Sequence, residues 1–348
     1  MLIFDKARQF LFDKQPFVLY KKPNQLDVNA IFQKNNDLDF VVDFTESGFV
    51  FCDFLFEKKI IFKKQNSDFI TEPFLNKVLI PKKNILASEN LFEKEKHIKL
   101  VQKGIIAIEN QEFTKVVLSR KEIVSIENIS PISIFKKLLK HNPSAFTYLW
   151  YHPKVGLWAG SFGEQLLFVE GLNFKTASLA GTQKYLKDSN IIWQDKEKNE
   201  QQIVTDFIVN GLKNESKFYK VSEPTTIVAG NVVHLKSEIS GELYPDFDLE
   251  NLLKILHPTP AVCGYPKSCS LKFIQDNEGY NREFYAGFIG EININLKTNL
   301  FVNLRCLKIN FDTVNIFVGG GITINSNPEL EWEETVIKSS TTKNAVLQ

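Results

Sequence analysis

Apolar residues follow two rhythms along this chain. Around Phe40 to Phe56, and again from Phe113 to Ile126, β-branched and aromatic residues gather in short runs of the strand type. Between Trp193 and Leu212 the period lengthens. Ile203, Val204, Phe207, Ile208 and Gly211 recur at helical spacing and define a stripe facing the interior. Glu197 and Glu200 fall on that stripe, while Lys198, Gln202, Thr205, Asp206 and Val209 fall opposite. Two carboxylates on an apolar face need a cation, a donor network or a cavity, because an unpaired buried charge is costly. The competing reading puts both in an exposed first turn, where acids complement the helix dipole. Spacing alone leaves both readings open.

Residues 1 to about 90 read as short strands with polar turns, a β-rich scaffold covering one face of a larger sheet. From Asn90 onward, Ile98, Val101, Ile105 and Ile108 predict a helix, with Lys94, His97 and Lys103 on its solvated side. In the run from Phe113, alternation sets Lys115, Val117 and Ser119 against Val116, Leu118 and Arg120. A lysine at a strand start usually reads as a snorkelling surface residue. ISIFKKLLKHN predicts a short helix, AFTYLWYHP and VGLWAG predict strands, and SFGEQLLFVEGLNFKTASLAGT predicts a hairpin turning near Gly171. Glu164 follows Gly163 at the hairpin's start, and Ala180-Gly181-Thr182 ends it, where a glycine eases a bend or admits close approach.

LHPTPAVCGYP is too stiff for a helix and too apolar for an exposed loop, which suggests a shaped wall. NREFYAGFIGEININ is expected to carry Arg282, Tyr285 and Gly287 into a strand. Arg305 is read as mid-strand, either partnered or projecting outward. In the last helix Asn327 is the N-cap and Pro328 the first helical residue, and Glu331, Glu334 and Lys338 share one face. Just upstream, Gly319-Gly320-Gly321 is able to present backbone N–H groups to an anion, although no G-K-[ST] follows.

The totals exclude more than they assign. A formal charge of +1 gives no electrostatic case for nucleic acid or an anionic membrane. No apolar run reaches membrane-spanning length, and the first residues lack a signal-peptide core. Cys52, Cys263, Cys269 and Cys306 have no metal-site spacing and read as reduced thiols of a cytoplasmic protein. With no repeat or linker, residues 1–348 are read as a single domain, 91–348 being its catalytic region.

The segments FTKVVLSR, GSFGEQLL, TASLAGT, KEKNEQQIV, LHPTPAVCGYP, REFYAGFIGEI, FVNLRC and VGGGITINSNPELEWEETVIK occur in this order over the last two-thirds of the chain. Together they resemble the chorismate-utilising enzymes, and among them the isochorismate synthases. The resemblance implies an α+β fold of two large stacked antiparallel sheets flanked by helices. It implies chorismate as substrate and Mg²⁺ as cofactor, in an enzyme expected to act as a monomer and to serve menaquinone or siderophore synthesis. Glu200 and Glu334 match the metal-holding carboxylates, and Glu197 and Glu331 match an outer pair that orders the metal's waters. Carboxylate oxygens suit Mg²⁺, a hard cation that retains water. Lys115 matches the general base that activates water for attack at C2, and Glu164 the general acid that protonates the departing C4 hydroxyl. A lysine serves as base only when neutral and a carboxyl as acid only when protonated, so a dry site is required.

The same resemblance gives Arg305, Tyr285 and the Gly319, Gly320 and Gly321 amides to the pyruvyl carboxylate, and Lys338 to the ring carboxylate. Ala180, Gly181 and Thr182 match substrate-binding positions; His257 matches a pocket-lining histidine, or is a hydrogen-bonded structural one. The chain departs from the pattern at Gln201, where a histidine usually stands, at Phe162-Gly163, which replaces Ser/Thr-Pro, and in its short amino-terminal part. The first two departures are expected to lower metal affinity or rate. Salicylate synthase is the nearest rival, opposed by Ala261; an aminating anthranilate or aminodeoxychorismate synthase is opposed by Lys115. A catalytically dead binding module is opposed by the intact set Lys115, Glu164, Glu200 and Glu334.

Overall fold

The computed structural model describes residues 2–74, 90–127, 129–185, 191–229 and 232–347. Two antiparallel sheets of nine strands each organise them. The first runs in the order Gly264–Tyr265, Lys115–Ser125, Thr313–Ile322, Cys306–Ile309, Gly156–Phe162, Phe146–His152, Phe17–Lys21, Asp27–Gln33, Ser67–Pro73. The second runs Ser216–Val221, Val232–Leu243, Asn173–Lys184, Gln165–Glu170, Lys297–Val302, Phe288–Ile294, Gly48–Cys52, Lys59–Lys63, with Thr225–Ala229 also paired to Val232–Leu243.

Phenylalanine fills the space between them. Phe62 stacks on Trp150 at 5.3 Å and Phe301 on Phe146 at 4.4 Å, each pair joining one sheet to the other. Such pairs add about 0.5–1.5 kcal/mol beyond their buried area. Seven helices flank the sheets among the described residues: α1 (Leu2–Phe12), α2 (Leu91–Glu109), α3 (Pro131–His141), α4 (Asp195–Leu212), α5 (Leu249–Leu256), α6 (Lys267–Asn277) and α7 (Pro328–Leu347). A second apolar cluster, including Ile3, Phe4, Phe135, Leu138 and Ala345, seals α1, α3 and α7 against the first sheet. None of these helices is long and apolar enough to cross a membrane.

The amino-terminal reading needs two corrections. Residues 2–12 form a helix, whose Ile3, Phe4 and Ala7 are buried at helical spacing. The strands that follow do not cover a sheet face. They extend the edges of both sheets, Phe17–Lys21, Asp27–Gln33 and Ser67–Pro73 in one, Gly48–Cys52 and Lys59–Lys63 in the other.

Three further readings change. In α4 the buried row is Gln201, Val204, Thr205, Ile208 and Leu212, so the stripe is rotated from the one read from apolar residues alone. Polar residues join it because they are satisfied there: Gln201 Nε2 lies 3.0 Å from the hydroxyls of Ser178, Thr205 and Ser237. His97 is not on a solvated face but is 3% exposed, packed between α2 and α7. Tyr285 and Arg305 both sit in breaks rather than strands; residues 281–287 lie outside any strand, with a turn at 283–286, and Arg305 has φ +44° where the chain passes from the second sheet to the first.

The α7 start is as read. Asn327 Oδ1 accepts from the N–H groups of Glu329 and Leu330 at 3.0 and 3.2 Å. Asn327→Ala is expected to lower stability by about 1 kcal/mol in urea unfolding. No change would mean that the cap does not hold this helix end.

Candidate functional site

A cavity of about 340 Å³ opens between the sheets where α4 and α7 approach the glycine strand. Glu164, Ala180, Gly181, Thr182, Glu197, Glu200, Tyr285, Arg305, Gly319, Gly320, Gly321, Glu334 and Lys338 all line it. Most of the residues singled out in the sequence thus meet at one place, although they come from distant segments.

The glycines explain how the elements come so close. Gly319, Gly320 and Gly321 are not a loop but lie within Thr313–Ile322, opposite Ser119, Leu118 and Val117. A Cβ on Gly321 would stand 2.6 Å from Glu200 Oε1; one on Gly320 would be 3.3 Å from Glu331 Oε2 and 3.5 Å from Glu334 Oε1. Side chains there would fill the space the acids occupy. Gly181 makes a similar allowance at the opposite wall, with φ +73° at a β-bulge and only 3.0 Å between its Cβ position and Glu197 Cβ.

Each acid has a partner. Lys115, fully buried rather than at the surface, places Nζ 2.9 Å from Glu200 Oε1. Burial raises the Glu200 pKa, but Lys115, Lys338 and Lys196 outweigh it and hold the carboxyl below its ordinary value. Lys338 pairs with Glu334 at 2.6 Å and donates to the Gly319 carbonyl at 3.3 Å. Glu331 takes Lys196 at 3.2 Å and the Ser326 hydroxyl at 2.7 Å, yet burial and Glu334 still raise its pKa. Glu197 accepts the Gln194 N–H at 2.9 Å, so the helix-start reading holds for this residue and not for Glu200.

Glu164 behaves differently. Burial pushes its carboxyl up to about 7, against the opposing pull of Lys115 and Lys338. Gly163 before it meets nothing within 4 Å of its Cβ position, so that loop is unsupported on one side.

Whether these groups suit Mg²⁺ is a question of donor chemistry and space. The donors are all carboxylate oxygens, and the glycine backbone keeps room beside Glu200, Glu331 and Glu334, which fits a hard cation. Among the described residues, however, no three acidic, histidine or cysteine side chains converge closely enough to enclose a metal ion. The acids are instead neutralised by lysines, so a cation entering here must compete with Lys115, Lys196 and Lys338.

Lys115 and Glu331 stand behind the wall, against Glu200 and Gly320, without lining the cavity, and His257 lies apart from it. His257 caps α5, is 2% exposed, and has Nε2 3.1 Å from the Phe54 carbonyl. Burial lowers its pKa to about 3, so it is a neutral structural histidine. Its neighbours Ala261 and Val262 do reach the cavity wall.

Two wall residues escaped the sequence reading. His234 lies beside Thr182 and Gly181, with Nδ1 3.1 Å from the Gly181 carbonyl; burial, Lys338 and Arg305 lower its pKa to about 3. Lys196 was hidden among the polar residues that open α4. The signal for His234 was its position on a weakly alternating strand, which pairs it with Thr182. Behind the wall, Arg282 donates to the carbonyls of Val117 and Val262 at 2.7 and 2.9 Å and pairs with Glu278, which fixes the Lys115 strand against the Ala261 loop.

A family model described as chorismate binding enzyme matches residues 56–346. Isochorismate synthase EntC of Escherichia coli K12 is 27% identical over 271 residues, 75% of this chain and 69% of that protein. Anthranilate synthase component 1 of Lactococcus lactis is 28% identical over 263 residues, 72% of this chain and 56% of that protein. The solved structure of DhbC from Bacillus anthracis superposes with a TM-score of 0.80 at 22% identity, covering 97% of this chain and 99% of that one. The two-sheet architecture is therefore shared, and the matched segments build the walls of the cavity. This chain belongs to the chorismate-binding enzymes.

Proposed function

We propose that the chain converts chorismate to isochorismate, with water attacking C2 and the C4 hydroxyl leaving, in the presence of Mg²⁺. The observation that carries this reading is the Glu164 carboxyl on the cavity wall, its pKa raised to about 7 by burial, with the fully buried Lys115 behind that wall, its Nζ 2.9 Å from the wall residue Glu200. Water is a weak nucleophile and hydroxide a poor leaving group, so the reaction needs both a base and an acid. Arg305 and Lys338 supply positive charge for the two carboxylates of the substrate. Glu200 and Glu334 would hold Mg²⁺, with Glu197 and Glu331 behind them, and the ion would polarise the ring carboxylate when bound. The names of EntC and DhbC support this choice, and the product would feed menaquinone or siderophore synthesis. The single-domain organisation, the monomeric state and a cytoplasmic setting belong to the same proposal.

The anthranilate synthase relative keeps an aminating activity in play, and Lys115 disfavours it. Ala261 at the cavity wall disfavours the pyruvate-releasing rival. Product analysis decides among the three. Chorismate with Mg²⁺ is expected to give isochorismate, with little pyruvate near neutral pH. Stoichiometric pyruvate with salicylate, or anthranilate when ammonium is present, would replace the proposal.

The acid role also fixes a pH dependence. Glu164 must be protonated to donate, and its pKa is raised to about 7. The rate is expected to fall as pH rises through that value, since the carboxyl then ionises. Glu164→Gln should abolish most turnover and erase this limb from whatever activity remains. A limb that persists unchanged in Glu164→Gln would assign it to another group.

A further inference from the structure

On the far side of α7 lies a second cavity of about 1040 Å³, between α2, the outer half of Lys115–Ser125 and the turn after α6. We propose that it is a second ligand site, and that it takes an organic anion with an aromatic body.

Its rim is cationic. Lys96, Lys99 and Lys103 project from α2 at spacings of three and four, and Lys121 faces them from the strand. None of these four pairs with a carboxylate among the described residues. Of the acids at the site, Glu122 is already taken by Arg120 and Lys343, and Glu278 by Arg282 and the Ser119 N–H. That leaves Glu93 against four lysines. A site of one sign under low-dielectric walls concentrates counter-ions of the other.

Its floor is aromatic and polar at once. Trp332 and Tyr280 line it, the Arg120 guanidinium lies 4.4 Å above the Trp332 ring, and His97 lies 5.9 Å from the same ring. His97 is 3% exposed, and neither ring nitrogen has a hydrogen-bond partner among the described residues. Leaving a buried polar group unsatisfied costs about 1–3 kcal/mol, which a bound acceptor or donor would recover. Burial and Arg120 keep the ring neutral, with a pKa of about 4, so it offers one donor and one acceptor to a ligand. Flat apolar surface beneath a cationic rim suits an aromatic carboxylate or sulfonate better than inorganic phosphate. The site is separate from the catalytic cavity, although α7 carries residues of both: Glu334 and Lys338 on one face, Trp332 and Val336 on the other.

The probe is 1-anilinonaphthalene-8-sulfonate, titrated into the full-length protein and followed by its own fluorescence and by energy transfer from tryptophan. One saturable site per chain is expected. Lys99→Glu combined with Lys103→Glu, both exposed, should weaken it by about tenfold, equivalent to about 1.4 kcal/mol. Trp332→Phe should retain binding and lose much of the energy transfer, and excess chorismate should not displace the dye. Unchanged affinity in the double lysine variant, competition by chorismate, or absence of a saturable site would each overturn the proposal.

Discussion

Glu334→Ala and Glu200→Ala are both expected to abolish turnover at ordinary Mg²⁺, but with different effects on the fold. Glu334 pairs with the partly exposed Lys338 at 2.6 Å, and such pairs contribute about 0–1 kcal/mol, so Glu334→Ala should melt almost as the parent does. Glu200 is the partner of a lysine with no exposed surface. Removing it leaves the buried Lys115 without its partner, and breaking such a buried pair costs about 3–5 kcal/mol. Glu200→Gln keeps a hydrogen-bond acceptor for Lys115 and is the better test of metal binding alone. Chelation with EDTA should mimic the Glu334 variant, and added Mg²⁺ should restore the parent. Full activity in EDTA would remove Mg²⁺ from the account. Lys196→Met, which removes one cation competing for Glu331, should bind Mg²⁺ more tightly by calorimetry.

The second large effect concerns the nucleophile. Lys115→Gln removes the amine but keeps a polar side chain beside Glu200 and Gly321. General-base catalysis is typically worth about 10²–10⁴ in rate, and isochorismate formation should fall by about that factor. Ammonia is a better nucleophile than water and needs less help, so the variant should show amination at alkaline pH with ammonium supplied. Parental isochorismate formation in Lys115→Gln, alongside its loss in Glu164→Gln, would place the base elsewhere.

What the sequence revealed depended on whether a residue's role is local. The α7 cap was legible because Asn327 and Pro328 act within one turn. The hairpin at Gly171 was legible for the same reason, with φ +60° at the turn. The acidic stripe on α4 was ambiguous because burial is decided by what packs against the helix. Glu200 turned inward to Lys115, while Glu197, one turn earlier, capped its own helix.

Gln201 and Thr205 look like solvent-facing residues until Ser178 and Ser237 are brought under them by two strands remote in sequence. Through these bonds Gln201 ties α4 to the second sheet next to Glu200. His97 was read as solvated because lysines surround it in sequence; α7 covers it in space. Resemblance supplied the site residues as a set, and the structure then put Lys115 and Glu331 behind the cavity wall and separated His257, a buried cap, from the site.

If Lys115 activates water, solvent supplies the incoming oxygen at C2. Turnover of chorismate in H₂¹⁸O, with the product isolated and weighed by mass spectrometry, tests it most directly. Isochorismate is expected to carry one solvent ¹⁸O, at the C2 hydroxyl. Product that retains only unlabelled oxygen would contradict it, because the hydroxyl would then have migrated within the substrate and Lys115 would have no water to activate.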